Sequence, residues 1–175
     1  MIRPAYIRNA RPSDIPPCAA VELSAATSFA GTHMDIPAAY GVSDRADLAA
    51  AAARGLMWVA DWQGEVAGFL FGEVTASGLY LREMSVAAHA QRHGLGRGLM
   101  LAGIAAGREL GVPLVSLTTD RTLVWNAPFY ARLGFAIVEG ADIPPDVQAR
   151  LDGQAVAGFD PAQRCAMILR LGEPA

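Results

Sequence analysis

The pattern of apolar and polar positions predicts one short strand and two helices in the first third of the chain. The strand covers residues 6–8, the helices cover 15–26 and 43–54, and a loop over 28–42 joins the two helices. Ser13 or Asp14 is expected to cap the first helix, and Ser43 the second, because short polar side chains bind the free amides of a first helical turn.

After the second helix the period of the pattern changes from helical to short β-rich runs. Three strands are predicted over residues 56–60, 66–74 and 79–86. The links between them, 61–65 and 75–78, have the length of hairpin turns. We therefore expect these three strands to be antiparallel neighbours in one sheet.

The rest of the chain alternates between strands and helices. Helices are predicted over 96–110, 127–133 and 144–156, and strands over 112–119, 135–138 and 164–171. The strand over 112–119 is nearly all apolar or β-branched, which is typical of a central strand buried on both faces. A strand, a helix and a strand of these lengths predict a parallel pair with a right-handed crossover. The fold class is therefore α/β: a mixed central sheet of about seven strands, with antiparallel hairpins, one parallel central pair and helices on both faces.

Composition and charge narrow the classes of function. The 175 residues suit a single domain spanning 1–175. Apolar residues make up 53% of the chain and charged residues 18%, which excludes a disordered chain. Every basic side chain apart from histidine is arginine, so a lysine Schiff base and a P-loop lysine are excluded. The net charge of −3, without long charged runs, argues against nucleic acid as a partner.

Cysteines, histidines and apolar runs bear on the cellular compartment, on metal binding and on membrane insertion. Cys18 and Cys165 lie far apart in the sequence and are expected to be buried thiols in a reducing cytoplasm. Three histidines and two isolated cysteines argue against a metal site. The longest apolar stretch, residues 98–107, is much shorter than the roughly 20 residues that a membrane helix needs. The N-terminus also lacks the apolar core of a signal peptide.

A glycine-rich turn between a predicted strand and a predicted helix carries the clearest chemistry. Gly94 and Gly96 have no side chains where the backbone turns, so a row of N–H groups at the positive end of the helix can bind a pyrophosphate. Arg92 and Arg97 can add charge-assisted bonds to phosphate oxygens. An ordinary solvent-facing turn is the alternative, and the position between a strand and a helix favours phosphate binding.

Two familiar phosphate-binding patterns do not fit this turn. The Walker pattern requires a lysine, which the chain lacks. The dinucleotide fingerprint requires a third glycine three residues after Gly96, where Leu99 stands. The pattern that fits is Gln/Arg-x-x-Gly-x-Gly/Ala, following a strand that ends in Val86.

Three segments together resemble the GNAT superfamily of acyl-CoA-dependent N-acyltransferases. They are LYLREMSV at 79–86, QRHGLG at 91–96 and FYARLGF at 129–135. The order of the predicted elements agrees with this family over nearly the whole chain. The resemblance implies that acetyl-CoA is the co-substrate and that its acetyl group passes directly to a primary amine in a ternary complex.

The resemblance also implies roles for individual residues in binding coenzyme A. Amides of the glycine-rich turn would hold the pyrophosphate, and the backbone of the preceding strand would pair with the pantetheine arm, where the two central parallel strands splay. The cofactor-binding residues implied in this way are Met84, Val86, Gln91, Arg92, His93, Gly94, Leu95, Gly96, Arg97 and Asn126.

Two side chains are catalytic candidates under the resemblance. An amine with a pKa of about 10 is almost fully protonated at neutral pH, so a base must take its proton, and Glu83 is the best-placed carboxylate. Strand alternation puts Glu83 on the same face as Ser85. An ion pair with Arg82 is the structural alternative for Glu83. Tyr130 is implied to lie near the thioester sulfur, where its phenol can protonate the leaving thiolate; packing on its short helix is the alternative.

One position departs from the family pattern. Many members carry asparagine seven residues before the tyrosine, where this chain has Leu123. Asn126 either replaces that cofactor contact or caps the helix whose first turn contains Pro128. The acceptor pocket is expected to be lined by the loop over 28–42 and by the insertion over 144–160. Candidate lining residues are His33, Met34, Asp35, Tyr40 and Trp125.

The sequence thus predicts a cytoplasmic acetyltransferase that acts on a primary amine of a small molecule and contacts neither nucleic acid nor membrane. A homodimer is left open. Within the class, a protein N-terminus as acceptor or a longer acyl donor is the alternative. From other classes, a non-catalytic acyl-CoA-binding module and an oxidoreductase that binds NAD(P)H are retained. The two catalytic candidates argue against the module, and the missing third glycine argues against the oxidoreductase.

Overall fold

A computed structural model describes residues 6–172, whose strands form a seven-stranded sheet in the order β1-β2-β3-β4-β5-β7-β6. The strands are β1 (Tyr6–Asn9), β2 (Met57–Trp62), β3 (Glu65–Val74), β4 (Leu79–Val86), β5 (Leu114–Asp120), β6 (Ala136–Val138) and β7 (Arg164–Arg170). The helices are α1 (Cys18–Ala26), α2 (Arg45–Ala53), α3 (Leu95–Glu109), α4 (Ala127–Ala131) and α5 (Pro145–Val156). Within residues 6–172, no helix has the length and apolarity to span a membrane.

The sheet is mixed, as the sequence predicts. Strand β2 pairs antiparallel with β1 and β3, and β7 pairs antiparallel with β5 and β6. Strands β4 and β5 pair in parallel, with Leu79 opposite Val115 and Tyr80 opposite Ser116. Helix α3 lies between β4 and β5 in the chain and provides the crossover that a parallel pair requires. The predicted α/β class is confirmed, and the splaying of these two strands stays a prediction.

The chain divides into two compact units. The first comprises the residues up to Glu73 together with Arg82–Ala106, and the second comprises Val74–Leu81 together with the chain from Gly107 onward. Each unit has its own group of fully buried apolar side chains. Among them are Leu48, Met57, Phe69, Leu70 and Leu99 in the first unit, and Leu79, Val115, Val147 and Met167 in the second.

Helix α1 begins later than the sequence predicts. Residues 12–14 form a separate turn of 3-10 helix, and α1 starts at Cys18 with Pro17 as its N-cap residue. Asp14 is therefore not the cap of α1. Its buried carboxylate accepts bonds from the Arg8 guanidinium at 2.6 Å and from the Arg11 amide at 2.7 Å. The bond from Arg8 is the main reason that the pKa of Asp14 is lowered.

The N-cap residue of helix α2 differs from the prediction as well: it lies one residue after the predicted Ser43. Asp44 is the N-cap residue, and its carboxylate accepts a bond from the Ala46 amide at 2.7 Å. Ser43 instead donates its amide (2.9 Å) and its hydroxyl (2.6 Å) to the buried Glu22 of α1. Burial raises the pKa of Glu22, and the bonds from Ser43 oppose that rise. This contact ties α1 to the start of α2.

Two glycines allow backbone segments to come close together. A Cβ at Gly78, just before β4, would overlap the carbonyl oxygen of Leu114 at the start of β5. A Cβ at Gly68 of β3 would lie 3.0 Å from the Ser85 carbonyl oxygen and 3.1 Å from a Val86 methyl group. A larger residue would therefore push on β5 at Gly78, and at Gly68 on β4, the strand that leads to the glycine-rich turn.

Candidate functional site

The glycine-rich turn, called here the glycine loop (residues 91–96), joins the end of β4 to the start of α3. A turn of 3-10 helix over Ala88–Ala90 precedes it. Arg92, with φ of 62°, and Gly94, with φ of 83°, both adopt the left-handed conformation. That conformation is unusual for arginine and costs about 1 kcal/mol or more. The loop therefore keeps a strained backbone at the position where the sequence predicts a ligand.

The loop and the first turn of α3 present a row of free backbone donors. Within residues 6–172, no hydrogen bond is made by the amides of residues 92–97. The helical ladder starts at Gly98, whose amide donates to the Gly94 carbonyl at 2.9 Å. Since the positive end of the helix dipole lies at the same place, this backbone can bind an anion, as the sequence predicts for a pyrophosphate.

Side chains of the loop hold its shape rather than fill the space in front of the amides. The Gln91 side chain donates to the Val86 carbonyl at 3.0 Å, which ties the loop to the end of β4. The Nδ1 atom of His93 lies 3.3 Å from the Ala90 carbonyl, and the His93 ring centroid lies 4.9 Å from that of Trp62. Trp62 is a contact that sequence reasoning missed, since it comes from the far end of strand β2.

Two arginines bring positive charge to the loop. Arg92 and Arg97 are exposed, and neither forms an ion pair with a residue of the described part of the chain. By contrast, the half-buried Arg8 is paired with Asp14 at 2.6 Å. Arg92 and Arg97 therefore have guanidinium groups available to a phosphate.

Glu83 and Ser85 share a face of strand β4, as alternation predicts. The Ser85 hydroxyl donates to Glu83 Oε1 at 2.7 Å, and Ser85 is buried while Glu83 is half-buried. A hydrogen bond to a carboxylate favours its ionised form, the form that a general base needs. Arg82, the residue beside Glu83, is paired with Asp47 at 2.8 Å and lies over the Phe71 ring.

Tyr130 lies on helix α4, in the second unit, and is buried. Its ring contacts Phe129 edge-on at 5.1 Å and Phe135 edge-on at 6.3 Å between centroids. Asn126 is the N-cap residue of α4, and its carbonyl accepts bonds from the Phe129 amide at 2.8 Å and the Tyr130 amide at 3.1 Å. Its side chain makes no capping bond, so the cap interpretation holds for the backbone of Asn126 alone.

A polar chain of side chains crosses the second unit under helix α5. The Tyr80 hydroxyl lies 2.8 Å from Thr118 Oγ1, which accepts a bond from the Gln154 amide at 2.8 Å. Gln154 Oε1 then accepts a bond from Arg164 Nε at 3.1 Å. Sequence reasoning missed this chain, because Thr118 is one of several polar residues of β5 and nothing in the sequence distinguishes it from the others.

The remaining candidates lie on the loop over 28–42 in the first unit and at Trp125 in the second. Asp35 accepts bonds from the Gly31 amide at 2.9 Å and the Tyr40 hydroxyl at 2.7 Å, so both side chains hold the loop over 28–42 in shape. Met34 is buried, whereas Trp125 is exposed. Within residues 6–172, no three His, Cys, Asp or Glu side chains are placed to hold a metal ion. Both cysteines are free and buried.

A family model described as an acetyltransferase (GNAT) domain matches residues 53–137, which include β4, the glycine loop, α3 and α4. Residues 53–137 therefore carry a GNAT acetyltransferase domain. Among solved structures, the chain is similar to the PaiA N-acetyltransferase of Thermoplasma acidophilum in complex with coenzyme A. Identity is 15% and the TM-score 0.71, over 97% of this chain and 100% of that one.

Two further structures show the same fold. The ribosomal-protein-S18-alanine N-acetyltransferase of Escherichia coli is 20% identical, with a TM-score of 0.66 over 98% of this chain and 96% of that one. The N-acetylglutamate synthase of Neisseria gonorrhoeae, complexed with coenzyme A and N-acetyl-glutamate, is 19% identical. Its TM-score is 0.70, over 98% of this chain and 36% of that one. At these identities the likeness concerns the fold and not the acceptor.

Proposed function

We propose that the protein is an N-acetyltransferase that transfers the acetyl group of acetyl-CoA to a primary amine of a small molecule. The observation that carries this proposal is the row of free amides over residues 92–97 at the positive end of helix α3. The match of residues 53–137 to a GNAT acetyltransferase domain supports it, as do similar folds that bind coenzyme A.

The glycine loop is proposed to bind the pyrophosphate of acetyl-CoA. Its amides would donate to the phosphate oxygens, and Arg92 and Arg97 would add charge-assisted bonds. The pantetheine arm is proposed to pair with the backbone of Met84 and Val86. The Val86 carbonyl already accepts a bond from Gln91, and its second lone pair can still accept one from a pantetheine amide.

Transfer is proposed to occur in one direct step. The amine nitrogen attacks the thioester carbonyl, the N–C bond forms and the C–S bond breaks, so an amide and free coenzyme A are the products. Glu83 would take the proton that the amine loses, directly or through one water. Its hydrogen bond from Ser85 supports this role, because that bond favours the ionised carboxylate.

Tyr130 is proposed to give its proton to the departing thiolate. A phenol with a pKa of about 10 can donate to a thiolate whose conjugate acid has a pKa of about 8.5 as the C–S bond breaks. The rings of Phe129 and Phe135 fix the plane of the Tyr130 ring. Asn126 is proposed to contact the cofactor with its side chain, which is not used for capping.

The experiment is a panel of amines with acetyl-CoA, in which release of free thiol is measured. The panel contains small amines, amino acids, polyamines and short peptides with free N-termini. Thiol release that depends on a small amine supports the proposal, and release with peptides alone would assign the protein N-terminus as the acceptor. Binding of coenzyme A by calorimetry without thiol release would indicate a non-catalytic module. Binding of NAD(P)H in place of coenzyme A would indicate an oxidoreductase.

Two further properties are proposed together with the activity. A cytoplasmic setting is supported by two cysteines that are both unpaired and buried. A homodimer stays a prediction, which light scattering of the purified protein checks.

A further inference from the structure

Arg164 is the first residue of β7, and two neighbouring side chains, Gln154 and Phe159, hold its guanidinium group in position. Its Nε donates to Gln154 Oε1 at 3.1 Å, and its Cζ lies 5.0 Å from the centroid of the Phe159 ring. Gln154 is fixed in turn by its bond to Thr118. The direction in which the two Nη groups point is therefore set by neutral neighbours.

The two Nη groups of Arg164 have no partner in the part of the chain that the structure describes. Within residues 6–172, neither makes a hydrogen bond, and the guanidinium forms no ion pair with a carboxylate. The half-buried Arg8 and the partly exposed Arg82 are both paired with aspartates. Arg164 is half-buried, and burial lowers its pKa. A charge that is partly removed from water and not paired is costly unless another group satisfies it.

The titratable groups near enough to raise the pKa of Arg164 against the effect of burial are Tyr80, Asp120, Cys165 and Tyr130. Asp120 stands opposite Arg164 in the β5–β7 register and is fully buried. Its Oδ1 accepts bonds from the amides of Thr122 and Leu123, each at 2.8 Å, which holds the turn after β5. Asp120 therefore reduces the positive charge around Arg164 without occupying the two Nη groups.

We propose that Arg164 binds a carboxylate of the acceptor through its two Nη groups. A planar guanidinium with two adjacent free N–H donors matches a carboxylate in a bidentate arrangement. Tyr130, the proposed acid for the leaving thiolate, lies within electrostatic reach of Arg164 in the same compact unit. A carboxylate held there belongs to a molecule that is close to the reacting atoms. The acceptor is therefore a small molecule that carries both a primary amine and a carboxylate, an inference that rests on the proposed function.

The test compares acceptors that differ in one carboxylate. Two matched pairs are Nα-acetyl-lysine with Nα-acetyl-lysinamide, and 5-aminovalerate with 5-aminovaleramide. In each pair the reacting amine is distant from the changed group, so its pKa is nearly the same. The wild-type protein is expected to prefer the carboxylate member by about tenfold or more in kcat/KM, the amount that one charge-assisted pair supplies.

The variant Arg164→Gln is expected to reduce this preference to less than about twofold. Arg170→Gln is the matched control, because Arg170 is exposed at the other end of the same strand. This control is expected to keep the wild-type preference. Equal kcat/KM for both members in the wild type, or a preference that survives Arg164→Gln, would overturn the proposal.

Binding is measured separately from turnover, so that failure of this inference and failure of the proposed function can be distinguished. The carboxylate acceptors are titrated by calorimetry into the protein saturated with coenzyme A. Binding that Arg164→Gln abolishes, without thiol release from acetyl-CoA, supports the carboxylate site and refutes the proposed activity. Thiol release without a carboxylate preference gives the opposite result.

If Arg164→Gln does not fold, the variant Gln154→Leu takes its place. It keeps the charge of Arg164 but removes the bond that orients the guanidinium. The preference for the carboxylate member is then expected to fall at least about threefold, while the Arg170→Gln control keeps it. An unchanged preference in a folded Gln154→Leu protein would overturn the proposal.

Discussion

Replacing Gly96 with valine tests whether the glycine loop binds coenzyme A. Gly96 is the second residue of α3, its φ is not positive, and it lies within the run of free amides over 92–97. Valine can adopt this helical conformation, so the backbone need not change. Its two methyl groups, however, would occupy the space in front of the neighbouring amides.

The expected loss follows from the bonds that valine would block. A hydrogen bond to a charged group contributes about 1.5–3 kcal/mol, so the loss of one amide–phosphate bond weakens binding by about tenfold to a hundredfold. The stability of the fold should not fall, since valine in a helix is favoured over glycine by a few tenths of a kcal/mol, roughly. The variant therefore separates affinity from stability.

The assay is calorimetric titration of coenzyme A, with thermal unfolding measured on the same samples. Ala105→Val is the control, because Ala105 is an exposed residue of the same helix outside the loop. This control introduces the same β-branched side chain and should leave the Kd for coenzyme A unchanged. An unchanged Kd in a folded Gly96→Val protein would refute the assignment of the loop.

Four further predictions concern catalysis and stability. Tyr130→Phe should lower turnover on the order of a hundredfold with little change in the Kd for coenzyme A; a loss of stability with full turnover would instead indicate a packing role. Glu83→Gln should show activity that rises about tenfold per pH unit below the amine pKa, whereas the wild type levels off earlier; pH–rate profiles within about threefold of each other would exclude Glu83 as the base. Gly78→Ala should lower the free energy of unfolding by about 3 kcal/mol, because its Cβ overlaps the Leu114 carbonyl. Gly153→Ala should raise the free energy of unfolding by about 0.5–1 kcal/mol, because a Cβ there meets nothing within 4 Å. Equal shifts of the two variants in urea denaturation would contradict this prediction. The pKa of Asp14 is lowered in the folded state, so Asp14→Asn should lower the free energy of unfolding by about 2 kcal/mol at neutral pH. The difference in stability between the variant and the wild type should shrink as the pH falls below about 4 and through the lowered pKa of Asp14. A difference that does not depend on pH would show that the Arg8–Asp14 bond is not responsible.

The parts of the fold that were predicted correctly depend on local pattern. Strand β4 lies at its predicted position, and helices α3 and α5 begin within one residue of theirs. The parallel pairing of β4 with β5 follows from the length of the connection, which is long enough to contain a helix. Periodicity and chain length are visible in any short window of sequence, so these features need no knowledge of distant contacts.

The caps were predicted less well, because distant residues decide them. Ser43 has the chemistry of an N-cap residue but donates to Glu22, 21 residues earlier in the chain. Asp44, the next residue, then caps α2. Asp14 likewise binds Arg8 of the neighbouring strand instead of capping α1. A local rule identifies a residue that can cap a helix, but not whether that residue forms its hydrogen bonds with a distant residue instead.

The glycine loop and the hydrogen-bonded side chains from Tyr80 to Arg164 differ in how well the sequence predicts them. The proposed phosphate site consists of the free backbone amides of six consecutive residues, 92–97, so its signal in the sequence is a compact pattern of glycines. The chain from Tyr80 to Arg164 consists of side chains separated by 38, 36 and 10 positions, and no short pattern connects them. Similar folds at 14–20% identity include enzymes whose names specify an S18 alanine or N-acetylglutamate. Coenzyme A recognition by backbone can be retained while side chains on separate elements change the acceptor, and for this reason the acceptor of this protein must be inferred from residues such as Arg164.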